Sequence, residues 1–309
     1  MAETGSDIRM IHVPALVIER VCGAVGSRET DNSAAASPET IAATGFSVRR
    51  TVGEGEDLFS LSLLAARGVM DGVQPSEIGG VVVATFSGER RFPGLAPRLV
   101  SELGLAPHIP AMDLQLACAA YPYALYAASA IARDTARAVL VVDGDVQSRL
   151  VDGSDASTAP LFSDASTATL VRSCAPGEGG ESAFGFFSRA SDALSCGEAG
   201  PVKMDGFKVF SFVASDVARF LRSFGDGFDA FVPHQANMYM VRQLAKSLGL
   251  GEKLVTCGAE LANPGSCSVP LALARYAKAG RALLAAFGAG LSASAATVRL
   301  APGAALGLV

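Results

Sequence analysis

Tryptophan is absent from the 309 residues, histidine occurs only three times, and no run rich in Lys or Arg appears anywhere. The formal charge of −5 and the missing basic stripe give nothing for a polyphosphate backbone to hold, so nucleic-acid binding is not expected. The six cysteines, at 22, 118, 174, 196, 257 and 267, form no C-x-x-C pair. With that spacing and this length they read as reduced thiols, and neither a zinc site, a disulfide framework nor a cofactor is expected. The N-terminus, MAETGSDIRM, lacks a basic segment followed by an apolar core, so no export signal is read and a cytoplasmic location is expected.

What the chain has is apolar mass. Half of it is hydrophobic and only 18% is charged, a composition that folds into a compact core and excludes disorder. Leu114 to Ala132 carries no charge over nearly the length of a membrane span. Its Ala content, Gln115, Pro122, Ser129 and three Tyr predict instead a helix buried on every face in a large core, flanked by strands near 112–117 and 139–145 as in a βαβ unit.

The order of signals repeats. RLVSELGL at 98 is echoed 145 residues on by QLAKSLGL at 243, and RAVLVVDGD at 137 is echoed 144 residues on by RALLAAFGA at 281. Each half runs strand (GGVVVAT, DAFVP), helix ending in Leu-Gly-Leu, strand, buried small-residue helix, and strand into glycine. The alternation predicts an α/β protein of two duplicated halves, 1–155 and 156–309, with a seam in 147–160 and mostly parallel strands covered on both faces. The repeat also sets Cys118, at the head of the first buried helix, against Asn263 in ELANPGSCSVPLALA. A helix start offers unpaired N–H groups and positive partial charge, which lower a thiol's pKa and hold a developing oxyanion.

A nucleophilic cysteine needs a partner, and His12 in an N-terminal strand and His108 in a loop read as surface or structural residues. His234 differs. In FVPHQANMYMVRQLA it follows an apolar strand where a helix begins, the end of the sheet at which α/β proteins gather their sites.

Four motifs in order, ACAAYPYAL, VPHQAN, ANPGSCSVPLAL and AFGAGLSASAATVR, together with the GFSVRR region near 45, resemble the β-ketoacyl-acyl carrier protein synthase III family. The resemblance implies a thiolase fold in a layered αβαβα arrangement, a homodimer, and a Cys-His-Asn triad. It makes Cys118 the acyl-accepting nucleophile and gives His234 and Asn263 the carbonyl oxygen of a malonyl thioester to bind. The backbone N–H groups of Cys118 and Ala289 would form the oxyanion hole, and Phe92 would shape the substrate pocket. The implied reaction is decarboxylative Claisen condensation of an acyl thioester, on acyl carrier protein or CoA, with malonyl-acyl carrier protein. The alternative is transfer of the acyl group to an oxygen or nitrogen acceptor, with His234 as base.

The chain departs from that family in places. Where the family grips the CoA nucleotide with a Trp and two Arg, it has Glu39, Ala43 and Tyr239, and a further Trp is replaced near Ala293. Arg242 and Lys246, four apart on the helix after His234, are the candidate contacts for an acidic carrier protein. A related hydroxymethylglutaryl-CoA synthase needs a general-base Glu where this chain reads Ala-Thr-Phe86-Ser, so that activity is disfavoured. An inert partner subunit would normally lose the cysteine that this chain keeps.

Overall fold

The computed structural model describes residues 8–175, 177–197, 200–276 and 278–309; Met1–Asp7, on which the reading of the N-terminus partly rested, lie outside them. In chain order the strands are β1 (Ile11–Pro14), β2 (Leu16–Val25), β3 (Arg28–Asp31), β4 (Val48–Thr51), β5 (Ile78–Ala84), β6 (Ala111–Leu114), β7 (Ala138–Val146), β8 (Asp164–Ser173), β9 (Glu181–Ser191), β10 (Leu194–Ser195), β11 (Lys203–Met204), β12 (Ala230–Pro233), β13 (Gly280–Gly288), β14 (Gly290–Leu300) and β15 (Ala305–Leu308). The helices are α1 (Pro38–Thr44), α2 (Leu58–Met70), α3 (Leu95–Glu102), α4 (Ala120–Thr135), α5 (Gly206–Phe212), α6 (Ala218–Arg222), α7 (Met238–Ser247), α8 (Gly258–Leu261) and α9 (Ser268–Tyr276).

The expected duplication is visible in the strand order. One half runs β6-β5-β7-β8-β2, with β5 parallel to β6 and β7, and β8 antiparallel to β7 and β2. In the other, the segment at Leu254, β12, β13, β14 and β9 follow in the same order and the same senses. Because β8 is the counterpart of β14, the strand order changes halves between Ser173 and Glu181, not at 155/156. The Ser- and Gly-rich stretch that suggested the earlier seam is a loop inside the first half.

Three apolar clusters give five layers. Alternate residues of β5, β7 and β8 pack under α2 and α3 on one outer face, and those of β13 and β14 pack with α5, α6 and α7 on the other. Between the sheets lie α4 and α9, touching both. Helix α9 is buried along nearly its whole length, whereas α4, expected to be buried on every face, buries Tyr121, Ala124, Leu125 and Ala128 and leaves Tyr123, Tyr126, Ala127 and Ile131 half-buried along one side. Among the described residues no helix is long and apolar enough to cross a membrane.

Candidate active site

The site forms where the strands of both halves end and the two central helices begin. A single turn, Ala117–Ala119, leads into α4, and its counterpart, Gly265–Cys267, leads into α9. The residue facing Cys118 across the duplication is therefore Ser266. Asn263 lies three residues before it, because the loops joining strand to helix differ in length and a fixed offset drifts across them.

Cys118 is buried, and its thiol lies in hydrogen-bonding range of its own N–H and the N–H of Ala289. Gly288 lets it sit there: a Cβ at that position would be 2.8 Å from Cys118 Cβ and 3.3 Å from its Sγ. Ala117, with φ of 45°, turns the chain into the helix through a conformation that L-residues disfavour. The helix start was expected to lower the thiol's pKa, but the balance runs the other way. Burial, then the charges of Asp145 and Asp143, push it up to about 12 against the two N–H groups that pull it down. Nor is Cys118 alone at a helix start, for Cys267 occupies the counterpart turn, fully buried, with its thiol on Pro264 O at 3.2 Å. All six cysteines are unpaired.

His234 follows β12, its N–H donating to Ala285 O at 2.7 Å. The imidazole Nδ1 lies 2.6 Å from Ser268 Oγ, and the ring stands edge-on to Phe287 at 5.5 Å. Ser268 Oγ also accepts the Gln235 N–H at 3.3 Å, and the tautomer protonated on Nε2, with Nδ1 accepting the serine hydroxyl, is the one that offers a ring N–H to a ligand. Burial lowers the imidazole pKa to about 3, keeping it neutral.

Asn263 is held through its backbone, donating to Leu161 O at 3.0 Å and accepting from Ser163 N and Gln147 Nε2, each at 2.9 Å. Its Oδ1 accepts Gly265 N–H at 2.9 Å, which leaves Nδ2 as the donor for a ligand. Ala262 before it has φ of 51°, so two of the three non-glycine residues with positive φ among those described immediately precede candidate site residues.

Sequence reasoning missed the polar frame. Asp145 accepts from Thr85 Oγ1 (3.0 Å), Phe86 N (2.9 Å), Ser87 Oγ (3.0 Å) and Ser266 N (3.2 Å), and also bonds the Ser266 hydroxyl. Burial raises its carboxyl to about 6, and those bonds hold it from rising further. Gln147 and Gln235 brace the loops in the same way, Gln235 Oε1 accepting the N–H groups of Cys257 and Gly258. The VDGD repeat at the end of an apolar strand was the only signal for it.

A cavity of about 550 Å³ opens over Cys118, walled by apolar residues that include Phe86, Leu116, Leu150, Phe162, Leu194 and Val202. Gln147 and Ala289 also line it, and so does the exposed thiol of Cys196. His234 and Asn263 are not among its lining residues; Asn263 joins it through Phe162 and Gln147, which bridge to its backbone. Phe92 is not brought to this cavity at all. It is 84% exposed, on the loop before α3, whereas Phe86 is among the residues that line the cavity.

Arg242 and Lys246 are exposed on α7 and form no ion pair among the described residues. They share a helix face with Tyr239, which stacks on Phe210 at 6.1 Å. Glu39 and Ala43 are exposed on α1, which docks on α7 with Gly45 (φ 73°) against Met238. Among the described residues no group of three metal-ligating side chains occurs.

The family model described as 3-oxoacyl-[acyl-carrier-protein (ACP)] synthase III matches residues 112–191, and that for its C-terminal part matches 225–300. The chain is 34% identical over 289 residues to a β-ketoacyl-[acyl-carrier-protein] synthase III of Rhodospirillum rubrum, covering 83% of this chain and 89% of that one. Among solved structures, a 3-oxoacyl-(acyl-carrier protein) synthase from Burkholderia xenovorans superposes with a TM-score of 0.89 at 25% identity over 98% of this chain and 99% of that one. The priming β-ketosynthase of the R1128 polyketide pathway superposes with a TM-score of 0.84 at 29% identity over 94% and 98%.

Proposed function

We propose, on the premise that this chain belongs to the β-ketoacyl-[acyl-carrier-protein] synthase III family of the thiolase superfamily, that it forms carbon–carbon bonds through an acyl group held on Cys118. It is an acyltransferase of the condensing type, acting in fatty-acid or polyketide biosynthesis. The observation that carries the assignment of the nucleophile is the Cys118 thiol between two backbone N–H groups, its own and that of Ala289, at the foot of an apolar cavity.

In the first half-reaction the Cys118 sulfur attacks an acyl thioester and its proton leaves with the departing thiol. The two N–H groups bind the oxyanion as it forms. In the second, a malonyl thioester places its carbonyl oxygen between His234 Nε2–H and Asn263 Nδ2–H. Loss of CO₂ leaves an enolate on that oxygen, its carbon attacks the acyl-Cys118 carbonyl, and the C–S bond breaks to give the β-ketoacyl product and a Cys118 thiolate that takes up one proton from solvent. A neutral imidazole with a pKa of about 3 suits a hydrogen-bond donor and makes a poor base, which favours condensation over acyl transfer to oxygen or nitrogen.

Acyl carrier protein is the proposed partner. Glu39 and Ala43 give the nucleotide of CoA neither a ring to stack on nor a cation, whereas Arg242 and Lys246 present two charges on one face to an acidic partner. A homodimer is the proposed assembly, supported by the edge strand β6, whose Met112 is exposed and whose far side pairs with no other strand among those described. The test is intact-protein mass spectrometry with one acyl chain offered on CoA and on carrier protein. Cys118→Ala should carry no adduct, and the carrier reaction should be faster and salt-sensitive. An undiminished adduct on Cys118→Ala moves the nucleophile elsewhere, and equal use of CoA removes the carrier preference.

A further inference from the structure

Two cavities adjoin where β5 ends. The one of about 550 Å³ over Cys118 has a neighbour of about 390 Å³ beside the start of α3, whose lining includes Leu58, Leu95 and Leu114. Two residues belong to both walls, Phe86 and Gln115. Phe86 is half-buried, and its main chain is held fast. The fully buried Asp145 takes its N–H at 2.9 Å and the hydroxyls of Thr85 and Ser87 on either side, each at 3.0 Å. Ser87 Oγ also accepts the Val146 N–H at 2.8 Å, which ties this turn to the end of β7. With the backbone fixed, the size of the side chain at 86 decides whether the two spaces stay separate.

The second cavity suits an alkyl chain. Leu58 and Leu95 belong to the core, and three of the charged residues in its walls are already engaged. Asp113 accepts the N–H groups of Leu95 and Ala96, each at 2.8 Å, and Glu89 accepts the Leu58 N–H at 2.7 Å and pairs with Arg98 at 3.6 Å, whose guanidinium lies on the Phe59 ring. A methylene lying among these groups gives up water without stripping any of them of a partner. Arg90 and Arg91, which also line it, are exposed to water.

We propose that Phe86 sets the acyl length this protein accepts: with its ring in place the acyl group on Cys118 is confined to the first cavity, and a smaller side chain at 86 opens the way into the second. The inference rests on Cys118 being the nucleophile. Phe86 touches the acyl tail and takes no part in bond making. Within the room available, each further methylene buried favours the longer chain by roughly fourfold, and that gain stops at the length where the tail reaches the ring.

The experiment measures acylation of Cys118 in the full chain by intact-protein mass spectrometry, using straight-chain acyl groups from acetyl to tetradecanoyl on carrier protein and on CoA. Each rate is divided by the same protein's acetyl rate. Wild type should rise along the series and then break. Phe86→Leu should break later and Phe86→Ala later still, with an advantage over wild type that grows roughly fourfold for each methylene past the wild-type break. A wild-type series without a break overturns the proposal on its own, even if neither variant folds, and so do breaks at one common length. A crystal structure of Phe86→Ala bearing the longest chain it takes should show the tail against Leu58 and Leu95; a tail lying elsewhere overturns it too. Alkyl methanethiosulfonates of the same lengths put a chain on a thiol as a disulfide, with loss of sulfinate and no need of catalysis, and peptide mapping separates Cys118 from Cys196. If those breaks shift with the residue at 86 while no thioester acylates Cys118, the partition stands and the nucleophile reading falls.

Discussion

The two helix starts at the centre of the molecule are equivalent by topology and unlike in chemistry. Ahead of α9, Ser266 faces the acidic end of β7, where Asp145 takes both its N–H and its hydroxyl. Ahead of α4, Cys118 faces the end of β13, where Gly288 and Ala289 offer space and one N–H. One start is saturated with hydrogen bonds and braces the frame. The other is left with donors unspent and a cavity above it. Duplication supplied two helix termini with the same electrostatic promise, and only the one kept poor in local partners is available to a ligand.

Blurring that contrast at Gly288 should have the largest effect. In Gly288→Ala the new methyl meets Cys118 and must push the thiol away from Ala289, so acylation should fall by about a hundredfold or more, the scale on which misplacement by an ångström is felt. Normal acylation by this variant would show that the close approach is not needed. Next come His234→Ala and Asn263→Ala, which should still acylate at Cys118 but lose CO₂ release from malonyl thioesters by roughly a hundredfold, about 3 kcal/mol for one donor. Following the two half-reactions separately checks this, and equal loss in both would deny them a selective role.

On the saturated side, Ser266→Ala should cost stability instead, about 1–3 kcal/mol in urea unfolding, because a buried carboxylate loses a donor. The pH dependence sharpens the same point. Asp145 holds its proton to about pH 6 in the folded protein, above the ordinary carboxyl value, so its contribution is present below about pH 4 and is lost as pH rises through 6. His234, depressed to about 3, works in the opposite sense, its contribution present above 6.5 and lost as pH falls towards 3. Unfolding curves of Asp145→Asn and His234→Gln across pH 3–8 should flatten on opposite limbs. The smallest effect expected is at Ala117→Gly, where relief of the positive φ should add up to about 1 kcal/mol. A loss there would mean that the methyl's packing outweighs the backbone strain.

Much of this was legible beforehand because it is periodic. Alternating strands and helices and the repeated Leu-Gly-Leu punctuation follow from local pattern, and the strand order of both halves agrees with them. The mostly parallel sheet they predict holds only for β6-β5-β7 and for Leu254-β12-β13, since β8 pairs antiparallel with β7 and β2, and β14 with β13 and β9. What escaped was set by contacts between distant residues. The 145-residue offset could not register loops of unequal length, so it pointed to Asn263 in place of Ser266. A helix start argued for an acidic thiol, but desolvation and two carboxylates from β7 decide the direction. Phe92 looked like a pocket residue by motif, but no pattern fixes which way a loop points: within this chain it is 84% exposed, and Phe86 is the phenylalanine of that stretch that lines the cavity. Asp145 drew no notice because its partners, Thr85 and Ser266, are far away in sequence.

That reach across the chain has a consequence in time. The thiol at 118 and the carboxylate at 145 leave the ribosome long before Ser266 and Ala289, and β14 reaches back to pair Arg299 with Val17. Until those strands arrive, Cys118 has one N–H in place of two, and Asp145 has lost its partners from the second half. Closing contacts of such long range is slow compared with local helix formation. A nascent chain thus carries this cysteine as an ordinary thiol, and its chemistry switches on only when the second half docks.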